Sequence, residues 1–482
     1  MNCNNKTCLP PCSEWPEAIS KNKKQNALSS PELRRKLIKS ALEFTEELNT
    51  LSAERLKRDI FIKDGSYSED EIILSGHQPE IYHHGILFKN FLLNQYSKEK
   101  KVTGINLIID TDEGLAGTVV YPVVTDGIPG KKKAAFNTEL RPYIFQNIPA
   151  KEKVRGLFDE IQSAVDVSEY RQYYEAMEGR PVVEAHTIIR RIFEKSPSYL
   201  EVPLSAILSF SEVKDFFLRI IKDAQNFAAS YNSTLQQFRT DEKIKNKANP
   251  FPDLEVSAGS IELPFWILDK SLQTRAPLIV RDSSAAIVNY NNISIPLAEI
   301  AENFMIVPKA ALITLFSRLL LGDAFIHGLG GAKYDRFTDR LIKNYFKLPA
   351  PQFFVASADV YYYSQQVEQY EKDKFAAEER RKMGFHVEKY LEQLNCSADV
   401  KGRLVQLSKD KMENIEKIKA GKIARQSTAE FTQIIKRIES EMKSILLDVL
   451  GPEPEFHEPS KIYLDTIYSR DFSYFTARCN TK

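Results

Sequence analysis

The sequence has few cysteines, no excess of charge of either sign and no long apolar run. Its 482 residues include five cysteines, too few for the disulfide framework of a small secreted protein. The 66 basic and 65 acidic side chains leave a net charge of +1, so the overall charge favours neither a nucleic-acid nor a membrane partner. The most apolar stretch, residues 310–326, is interrupted by Arg318 and Asp323 and is shorter than the ~20 residues that cross a bilayer. Residues 1–10 are polar, unlike a secretory signal, and we expect a cytoplasmic protein.

The short motifs of several common enzyme classes are also missing. The chain has no Gly-x-Ser-x-Gly, no Gly-x-Gly-x-x-Gly after an expected strand, no His-Glu-x-x-His and no Cys-x-x-Cys. Serine hydrolases, simple dehydrogenases, zincins and thioredoxin-like proteins are therefore disfavoured. Cys3, Cys8 and Cys12 lie close together, but no fourth metal ligand is nearby, and we favour an inert terminus over a metal knuckle.

The sequence does contain a strand, a helix and a second strand in close succession. Residues 71–74 are a short apolar run that ends at a Ser75-Gly76 turn, and residues 105–109 form a second such run. Between them, residues 85–93 carry apolar side chains at helical spacing. Two strands joined through a helix pair in parallel with a right-handed crossover, so this segment predicts an α/β protein with a parallel sheet.

The remaining segments differ enough in pattern to divide the chain into six parts. Amphipathic helical patterns dominate 138–248, and short strand candidates at 261–267, 278–280 and 286–288 predict that the sheet resumes afterwards. The six parts are a helical segment (1–65), the first half of the core (66–137), a helical insertion (138–248), the second half of the core (249–355), a charged hairpin (356–455) and a tail that packs on the core (456–482).

The charged hairpin predicts an antiparallel coiled-coil arm. Residues 359–394 and 400–450 are dense in charge, and their apolar residues, such as Ile438 and Met442, recur at alternating three- and four-residue steps. A turn at 395–397 would fold the two segments back on each other. A packing arm and a dimerisation arm both fit this pattern. We favour a homodimer, because an exposed apolar seam needs a partner.

The first candidate site lies in the turn between the first expected strand and its helix. Three of the chain's seven histidines, His77, His83 and His84, occur there within eight residues, next to Gly76 and Gln78. In a parallel sheet the carboxyl ends of the strands form the ligand crevice, and a helix that begins there offers backbone N–H groups to an anion. We favour a catalytic or binding role for these side chains. The alternatives are histidines that cap the helix and a metal site; we expect no metal, because no His-x-x-x-His spacing is present.

The second candidate site is the acidic end of the second expected strand. Asp110-Thr111-Asp112-Glu113 follows the apolar run, and the pairing of neighbouring parallel strands would bring it beside the first cluster. Asp110 or Asp112 could orient an amine or sugar hydroxyls, hold a magnesium ion or act as a base. An ordinary acidic turn fits the same pattern.

The third candidate site is a glycine-rich segment that follows an apolar helix. Gly330 and its glycine neighbours would let the backbone bend and approach a ligand closely. The charged side chains of this site are His327, Lys333, Asp335 and the preceding Arg318. Lys333 and Arg318 would neutralise an anionic substrate. The Gly-Lys-Ser/Thr ending of a Walker loop is absent, so a nucleotide such as ATP or ADP is a candidate cofactor without a diagnostic motif, and a structural turn is the alternative.

Together these segments resemble the bacillithiol-synthase family, the proposed cysteine-adding enzymes of bacillithiol biosynthesis. The resemblance lies in the run Leu74 to Glu80 with Gly85, in the run Asn106 to Glu113 and in the late charged hairpin, and this order of elements spans most of the chain. The family's first turn usually reads Gly-Gln-Gln where this chain has Gly-His-Gln, and its second strand ends in Glu-Asp-His-Asp where this chain has Asp-Thr-Asp-Glu.

The resemblance implies a fold, a reaction and a set of crevice residues. The implied fold is a Rossmann-like core, related in shape to nucleotidyltransferases and class I aminoacyl-tRNA synthetases, with a connecting insertion and a coiled-coil arm that supports dimers. The implied reaction joins cysteine to a glucosaminyl-malate acceptor. Gly76, Gln78 and Asp112 are the positions that the resemblance assigns to the crevice.

We therefore predict a ligase-like or transferase enzyme that condenses a small amine or amino acid with a sugar-linked or similar polar acceptor. In this hypothesis His77 and His84 stabilise a phosphate or acyl oxyanion, and Asp110 or Asp112 orients the amine. A nucleotidyltransferase that acts on another metabolite and a non-catalytic binding or scaffold protein are the alternatives.

Overall fold

The computed structural model describes residues 5–25, 28–63, 67–282, 287–290, 293–296, 304–423, 428–452 and 455–476. The chain divides into two compact units. The larger unit takes in the chain up to Tyr362 and again from Ser469, and the smaller unit is Tyr363–Tyr468. In the described part of the chain, no helix is both long enough and apolar enough to span a membrane.

The larger unit is built on a sheet that has six strands among the described residues. In spatial order they are β1 (Asn5–Leu9), β16 (Phe354–Asp359), β15 (Ala324–His327), β2 (Ile72–His77), β3 (Thr103–Ile108) and β8 (Leu200–Pro203). β1 pairs antiparallel with β16, and every other pair of neighbours in this sheet is parallel. The protein is therefore a mixed α/β protein whose main sheet is mostly parallel.

The order of the parallel strands reverses between β2 and β15. The chain runs from β2 outward to β3 and β8, and it then returns to the other side of β2 to form β15 and β16. In open parallel sheets, ligands bind outside the carboxyl ends of the strands at such a reversal point. The strand order therefore directs attention to the ends of β2, β3 and β15.

The helices of the larger unit lie before, between and after these strands. They are α1 (Trp15–Gln25), α2 (Pro31–Leu56), α3 (His84–Lys100), α4 (Lys151–Gln162), α5 (Ser168–Ala176), α6 (Val182–Phe193), α7 (Leu204–Ile207), α8 (Ser211–Lys222), α9 (Ala224–Asp241), α10 (Ala310–Phe316) and α11 (Leu329–Leu341). Short 3-10 turns occur at Cys12–Glu14 and Tyr143–Phe145, and π-helical turns follow α10 and α11 at Ser317–Leu321 and Ile342–Phe346.

The strand-helix-strand unit expected from the sequence is confirmed. α3 connects β2 to β3, and these strands pair in parallel along their whole length, from Ile72 opposite Thr103 to His77 opposite Ile108. Helices cover both faces of the sheet, as a parallel sheet requires. On one face Ile73 packs with side chains of α1 and α3, and on the other face Leu74 packs with side chains of α2.

The expectation that the parallel sheet resumes at 261–288 is wrong. These residues belong to a separate antiparallel sheet of β9 (Val256–Ser257), β10 (Ser260–Asp269), β11 (Thr274–Asp282), β12 (Ile287–Tyr290), β13 (Ile293–Pro296) and β14 (Phe304–Pro308). β10, β11 and β12 follow one another through short connections, which allow antiparallel pairing, whereas parallel pairing needs a long crossover. Residue 286 of the expected third strand lies outside the described residues. The parallel sheet resumes later, at β15.

The segment expected to be a helical insertion also contributes a strand to the sheet. β8 forms the edge beside β3, with Ile105 opposite Leu200 and Ile108 opposite Pro203. The hairpin β5 (Thr118–Thr125) and β6 (Ile128–Ala135) lies before the insertion, and β4 (Glu113–Gly114) pairs with β7 (Arg141–Pro142) at the beginning of the insertion. The β5–β6 turn is Asp126-Gly127, whose φ angles of 50° and 78° fit the two-residue turn that such a hairpin needs.

The smaller unit is helical, and its hairpin differs from the expected one. Its helices are α12 (Ser364–Phe385), α13 (Ala398–Ile423), α14 (Ala429–Leu450) and α15 (Lys461–Ile467), with a 3-10 turn at Val387–Lys389. The segment 400–450 is two helices, and α13 and α14 pair antiparallel, with ion pairs from Arg403 to Glu441 and from Lys411 to Glu439. Folding back at this point buries Leu404 and Leu407 of α13 against Ile438 and Met442 of α14. Part of the apolar stripe that was expected to be exposed is therefore buried between two helices of the same chain.

Candidate functional site

The three candidate clusters all lie at the carboxyl edge of the parallel sheet. β2 ends at His77, beside Ile108 at the end of β3. On the other side of β2, Ile326 of β15 lies opposite Ser75, which brings His327 to the level of Gly76. The acidic run follows β3 directly, and the glycine-rich run follows β15 directly. The topology thus brings segments that are distant in sequence to one edge.

A small cavity opens between the end of β2, strand β3 and helix α6. Its lining includes His77, Gln78, Glu80, Asn106, His186 and Arg190. The cavity, about 10 Å³ in volume, has room for one water molecule or one ammonium group. The first cluster and β3 therefore share a cavity, whereas the glycine-rich segment does not contribute to its lining.

Gln78 links the first cluster to the acidic run. Its Nε2 donates a hydrogen bond to Asp112 Oδ2 over 2.9 Å. Arg275 of β11 lies on the other side of the carboxylate, with its Nη1 2.9 Å from Asp112 Oδ1 and its Nε 3.3 Å from Glu113 Oε2. The same guanidinium stacks on Trp266, 4.7 Å from the ring centroid. The antiparallel sheet thus supplies a cation that fixes the acidic run next to the histidine turn.

Glu80 is the carboxylate that lines the cavity, and it is held by a tyrosine. The Tyr143 hydroxyl donates to Glu80 Oε1. Burial, followed by the nearby charge of Glu80, holds the pKa of Tyr143 well above its usual range, so the hydroxyl keeps its proton as a donor. Gly114 leaves the space for this ring, because a Cβ atom there would lie 1.7 Å from the Tyr143 hydroxyl oxygen.

His77 presents an acceptor to the cavity. Its Nδ1 lies 3.2 Å from the Gln78 carbonyl oxygen, and a carbonyl only accepts, so this bond requires the proton on Nδ1. Burial, assisted by the charge of Lys89, lowers the pKa of His77 to about 3. The ring is therefore neutral near pH 7, and its Nε2 carries a lone pair. In this tautomer Nε2 accepts a hydrogen bond, and the role of His77 in stabilising an oxyanion stays a prediction.

Lys89 of α3 is a buried ammonium beside this turn. Its Nζ donates to the Gly76 carbonyl oxygen over 2.8 Å, and no carboxylate of the described residues forms an ion pair with it. Burial lowers the pKa of Lys89 to about 8. A buried, unpaired lysine is uncommon in proteins, and it marks this part of the sheet edge as electrostatically unusual.

His83 and His84 occupy the start of α3. His83 Nδ1 accepts from the Gly85 backbone N–H over 3.0 Å, and the His83 carbonyl oxygen accepts from Ile86 and Leu87 over 3.1 Å each. The first N–H groups of the helix are therefore already bonded, as in the capping alternative. Burial lowers the pKa of His83 to about 4. His84 is buried, with its ring 5.8 Å from that of Phe193 in α6. Their proposed binding roles stay predictions.

Asp110 points to the neighbouring strand end instead of the cavity. Its Oδ1 accepts from the Ser205 backbone N–H over 3.0 Å, and its Oδ2 accepts from the Ser205 hydroxyl. Burial raises the pKa of Asp110 to about 6. Asp110 therefore connects the end of β3 to α7, the short helix that follows β8. In the part of the chain that the structure describes, no group of three or more potential metal ligands comes together.

The glycine-rich segment is the beginning of a helix. Gly328 is the N-cap of α11, and Gly330 lies in the first turn of this helix. Asp335 is buried and pairs with Arg318, whose Nη1 lies 2.6 Å from Asp335 Oδ2. His327 Nε2 lies 3.0 Å from the same carboxylate oxygen. Lys333 is exposed. Ligand binding by this cluster stays a prediction, but the donors of Arg318 are largely committed to groups of the protein itself.

The cysteines near the amino terminus form a pair in the described residues. Cys8 lies in β1 and Cys12 begins the 3-10 turn, and their Sγ atoms are 3.0 Å apart. Cys3 lies outside the described residues. Burial raises the pKa of Cys8 to about 12, which keeps this thiol protonated near neutral pH.

Sequence reasoning missed several residues of the cavity. Arg190 is buried, with Nη1 2.9 Å from Glu194 Oε1 and Nη2 2.5 Å from Glu201 Oε1. Two adjacent arginines inside the apolar pattern of α6 were a usable signal, because a buried arginine needs carboxylate partners. Asn106 interrupts a buried apolar strand, which is a second signal. No pattern marked His186, whose role depends on tertiary contacts.

No family model matches the chain, and no curated protein matches it. The functional interpretation therefore depends on the geometry of the site and on the residues named above.

Proposed function

We propose that the protein is a bacillithiol-synthase-like enzyme that condenses a small amine or amino acid with a polar, sugar-linked acceptor. The observation that carries this proposal is the hydrogen bond from Gln78 Nε2 to Asp112 Oδ2, 2.9 Å long. It joins two of the three sequence segments that carry the family resemblance, and its donor residue, Gln78, lines a cavity. A resemblance limited to separate sequence patterns would not require the two segments to be in contact.

The strand order supports the finer fold in this proposal, a Rossmann-like core. Numbered along the chain, the five parallel strands lie in the order third, second, first, fourth, fifth, which is the succession of a doubly wound nucleotide-binding sheet. A nucleotide cofactor such as ATP or ADP fits a core of this kind. The smaller unit corresponds in this proposal to the coiled-coil arm, with a homodimer as its expected consequence.

The side chains around the cavity suggest how the amine is prepared for condensation. An amine attacks an acyl or similar carbon only after it has lost a proton, so a base must lie nearby. Glu80 belongs to the histidine turn and Asp112 is bonded to Gln78 of that turn. Tyr143 holds Glu80 in place, and Gln78 and Arg275 hold Asp112. We assign the base to this pair and the orientation of the amine to the acceptors of the cavity.

The direct test is product formation by the purified protein. Cysteine and glucosaminyl-malate, with and without ATP, are incubated with the chain, and the condensation product, lighter than the sum of its substrates by one water, is sought by mass spectrometry. We expect Asp112→Asn to lower the rate at least about tenfold, because it removes one of the two carboxylates to which the base is assigned. The matched control is Asp241→Asn, an exposed aspartate that pairs with Arg340. Absence of product with wild type across a set of amines and polar acceptors would refute the proposed function.

A further inference from the structure

We infer that the cavity between β3 and α6 is the subsite for the primary ammonium group of a ligand, held by His77, Asn106 and His186. The inference rests on the proposed function, since it assigns the amine-binding part of the same site. All three side chains line the cavity. Asn106 and His186 each carry a buried acceptor atom that has no hydrogen-bond partner among the described residues, and the lone pair on His77 Nε2 supplies a third acceptor.

Asn106 supplies a buried amide oxygen. Its Nδ2 donates to Glu201 Oε2 over 2.8 Å. This bond fixes the orientation of the amide, so the atom on the opposite side of the amide group is the acceptor Oδ1. Oδ1 is buried and has no hydrogen-bond partner among the described residues. The side chain is only 2% exposed, so bulk water does not compensate for the missing bond. A buried acceptor without a donor costs about 1–3 kcal/mol, which a ligand with N–H groups would recover.

His186 supplies a buried ring nitrogen. Its Nδ1 lies 2.6 Å from the Pro79 carbonyl oxygen, so the proton is on Nδ1 and Nε2 is the acceptor. Nε2 is buried and has no partner in the described structure. Burial also lowers the pKa of His186 to about 4, so the ring stays neutral near pH 7. His77 has the same tautomer for the same reason, a hydrogen bond from Nδ1 to a carbonyl oxygen.

The number of acceptors and the size of the cavity fit an ammonium group. An ammonium group has three N–H donors and three acceptors await it, whereas a water molecule has two donors and a hydroxyl group has one. The opening of about 10 Å³ admits one group of that size. A ligand with a bulky or fully methylated nitrogen would fit neither the volume nor the acceptors.

The charges around the cavity are close to balanced. Glu80 lines the cavity and supplies a negative charge. Arg190 also lines it, but its guanidinium is paired with Glu194 and Glu201. Lys89 lies behind the histidine turn and opposes a second cation. We therefore expect weak binding of an isolated ammonium group, with the rest of the affinity supplied by the remainder of the substrate.

The test compares three small probes on the wild-type protein by saturation-transfer NMR. They are methylammonium, tetramethylammonium and methanol, at equal ionic strength for the two salts. We expect methylammonium to bind saturably and the other two to bind at least about tenfold more weakly, because one lacks N–H groups and the other lacks charge and two donors. Equal displacement of methylammonium by either competitor, or no binding of methylammonium, would overturn the inference in favour of an ordered water in the cavity.

A variant then locates the binding. His186→Phe preserves an aromatic ring next to Phe136 and Tyr174 but removes the acceptor, and we expect methylammonium to bind at least about tenfold more weakly. The control is His386→Phe, which changes an exposed histidine of the smaller unit. Unchanged binding in folded His186→Phe would overturn the assignment. If this variant does not fold, the wild-type comparison of probes still decides.

The two proposals fail in different ways. Product formation without methylammonium binding would refute this subsite and leave the proposed function standing. Methylammonium binding without any condensation product would support the subsite and refute the reaction.

Discussion

Arg318 Nη1 lies 2.6 Å from Asp335 Oδ2 in an ion pair that is almost completely buried. His327 Nε2 approaches the same oxygen at 3.0 Å, and Thr314 Oγ1 donates to the other carboxylate oxygen over 2.6 Å. Burial alone would raise the pKa of Asp335, but Arg318 and His327 hold it well below its usual range. This network connects the π-helical turn after α10 to α11, so its geometry is that of an internal brace.

Asp335→Asn should therefore destabilise the larger unit strongly. The substitution leaves the Arg318 guanidinium without its main counter-charge, and breaking a buried ion pair in this way costs about 3–5 kcal/mol. Urea unfolding at neutral pH measures the effect. Asp339 accepts from the same guanidinium but is partly exposed, so Asp339→Asn is the matched control and should cost clearly less. Equal midpoints for Asp335→Asn and wild type would contradict the interpretation as a brace.

The same pair predicts a pH dependence. A carboxyl group whose folded-state pKa is lowered contributes stability that is fully present above its unfolded pKa of about 3.9 and is lost as the pH falls through the folded value. Wild type should therefore lose stability on acidification below about pH 4, and Asp335→Asn should lose less over the same range. Parallel losses in the two proteins would assign the acid sensitivity to other carboxylates.

The sequence was most informative where structure is local. The β2–α3–β3 unit was predictable because strand length, helical spacing and a right-handed crossover are all encoded within about forty residues. β8 was not predictable, because Leu-Glu-Val-Pro is too short to show a period and Glu201 reads as exposed. Glu201 is fully buried only because Arg190 and Arg191, on a helix that precedes it, neutralise it. Such compensation between elements has no signature in a single sequence.

The candidate site was predictable only in part. Gln78 and Asp112 were named from their positions at two strand ends, and parallel pairing brings those ends together. Arg275 comes from the antiparallel sheet, whose separate existence the strand patterns did not reveal. The Asp126-Gly127 pair between two strand-forming runs is a sequence signal for the β5–β6 hairpin. The charged side chains of the glycine-rich segment predicted a ligand-binding site, but Asp335 and Arg318 form an ion pair with each other.

Lys89→Met should stabilise the protein at pH 7. In the folded state burial lowers the pKa of Lys89 from 10.5 to about 8, so keeping the charge buried costs on the order of 3 kcal/mol. The variant also loses the hydrogen bond to the Gly76 carbonyl oxygen, which destabilises it by about 1 kcal/mol. We therefore expect the free energy of unfolding to rise by about 1–2 kcal/mol in total. Chemical denaturation at pH 7 measures it, with the exposed Lys98→Met as control.

The advantage of Lys89→Met should shrink as the pH rises. Between about pH 8 and pH 10.5 the unfolded wild type binds more protons than the folded one, so wild-type stability rises with pH relative to the variant. A constant difference over this range would mean that the lysine is not buried as a charged group. A variant that gains stability but loses ligand binding would identify Lys89 as a residue kept for function.

The homodimer expected from the smaller unit can be tested by sedimentation equilibrium. The apolar surface that remains exposed in this unit includes Phe375, Leu447 and Ile462, which are 65%, 50% and 80% exposed. We expect a mass of twice the 55.1 kDa chain, and dissociation on Leu447→Lys, because a buried lysine in an interface carries a desolvation penalty. Val124→Lys, in the exposed hairpin of the larger unit, is the control. A concentration-independent mass of one chain would refute the dimer.

Two glycines offer a matched test of the contact that holds Glu80. At Gly114 an added Cβ would lie 1.7 Å from the Tyr143 hydroxyl oxygen and 2.4 Å from its Cζ, so Gly114→Ala must displace the ring from Glu80. We expect a loss of about 1–3 kcal/mol, as for other overpacked sites. Gly156 lies in α4 with nothing within 4 Å of an added Cβ, and Gly156→Ala should stabilise by up to about 1 kcal/mol because alanine favours the helix.

Urea unfolding measures the change in the free energy of unfolding for both glycine substitutions. Opposite signs for Gly114→Ala and Gly156→Ala would distinguish a clash with the Tyr143 ring from a general effect of alanine. In a Tyr143→Leu background the aromatic ring is gone, so Gly114→Ala should cost less than in wild type, and the difference is the coupling between the two positions. Gly114→Ala in the otherwise wild-type protein should also lower the rate of condensation, because Glu80 loses the Tyr143 hydroxyl that orients it. An unchanged rate in a folded Gly114→Ala protein would remove Glu80 from the proposed base pair and leave Asp112 as its sole member.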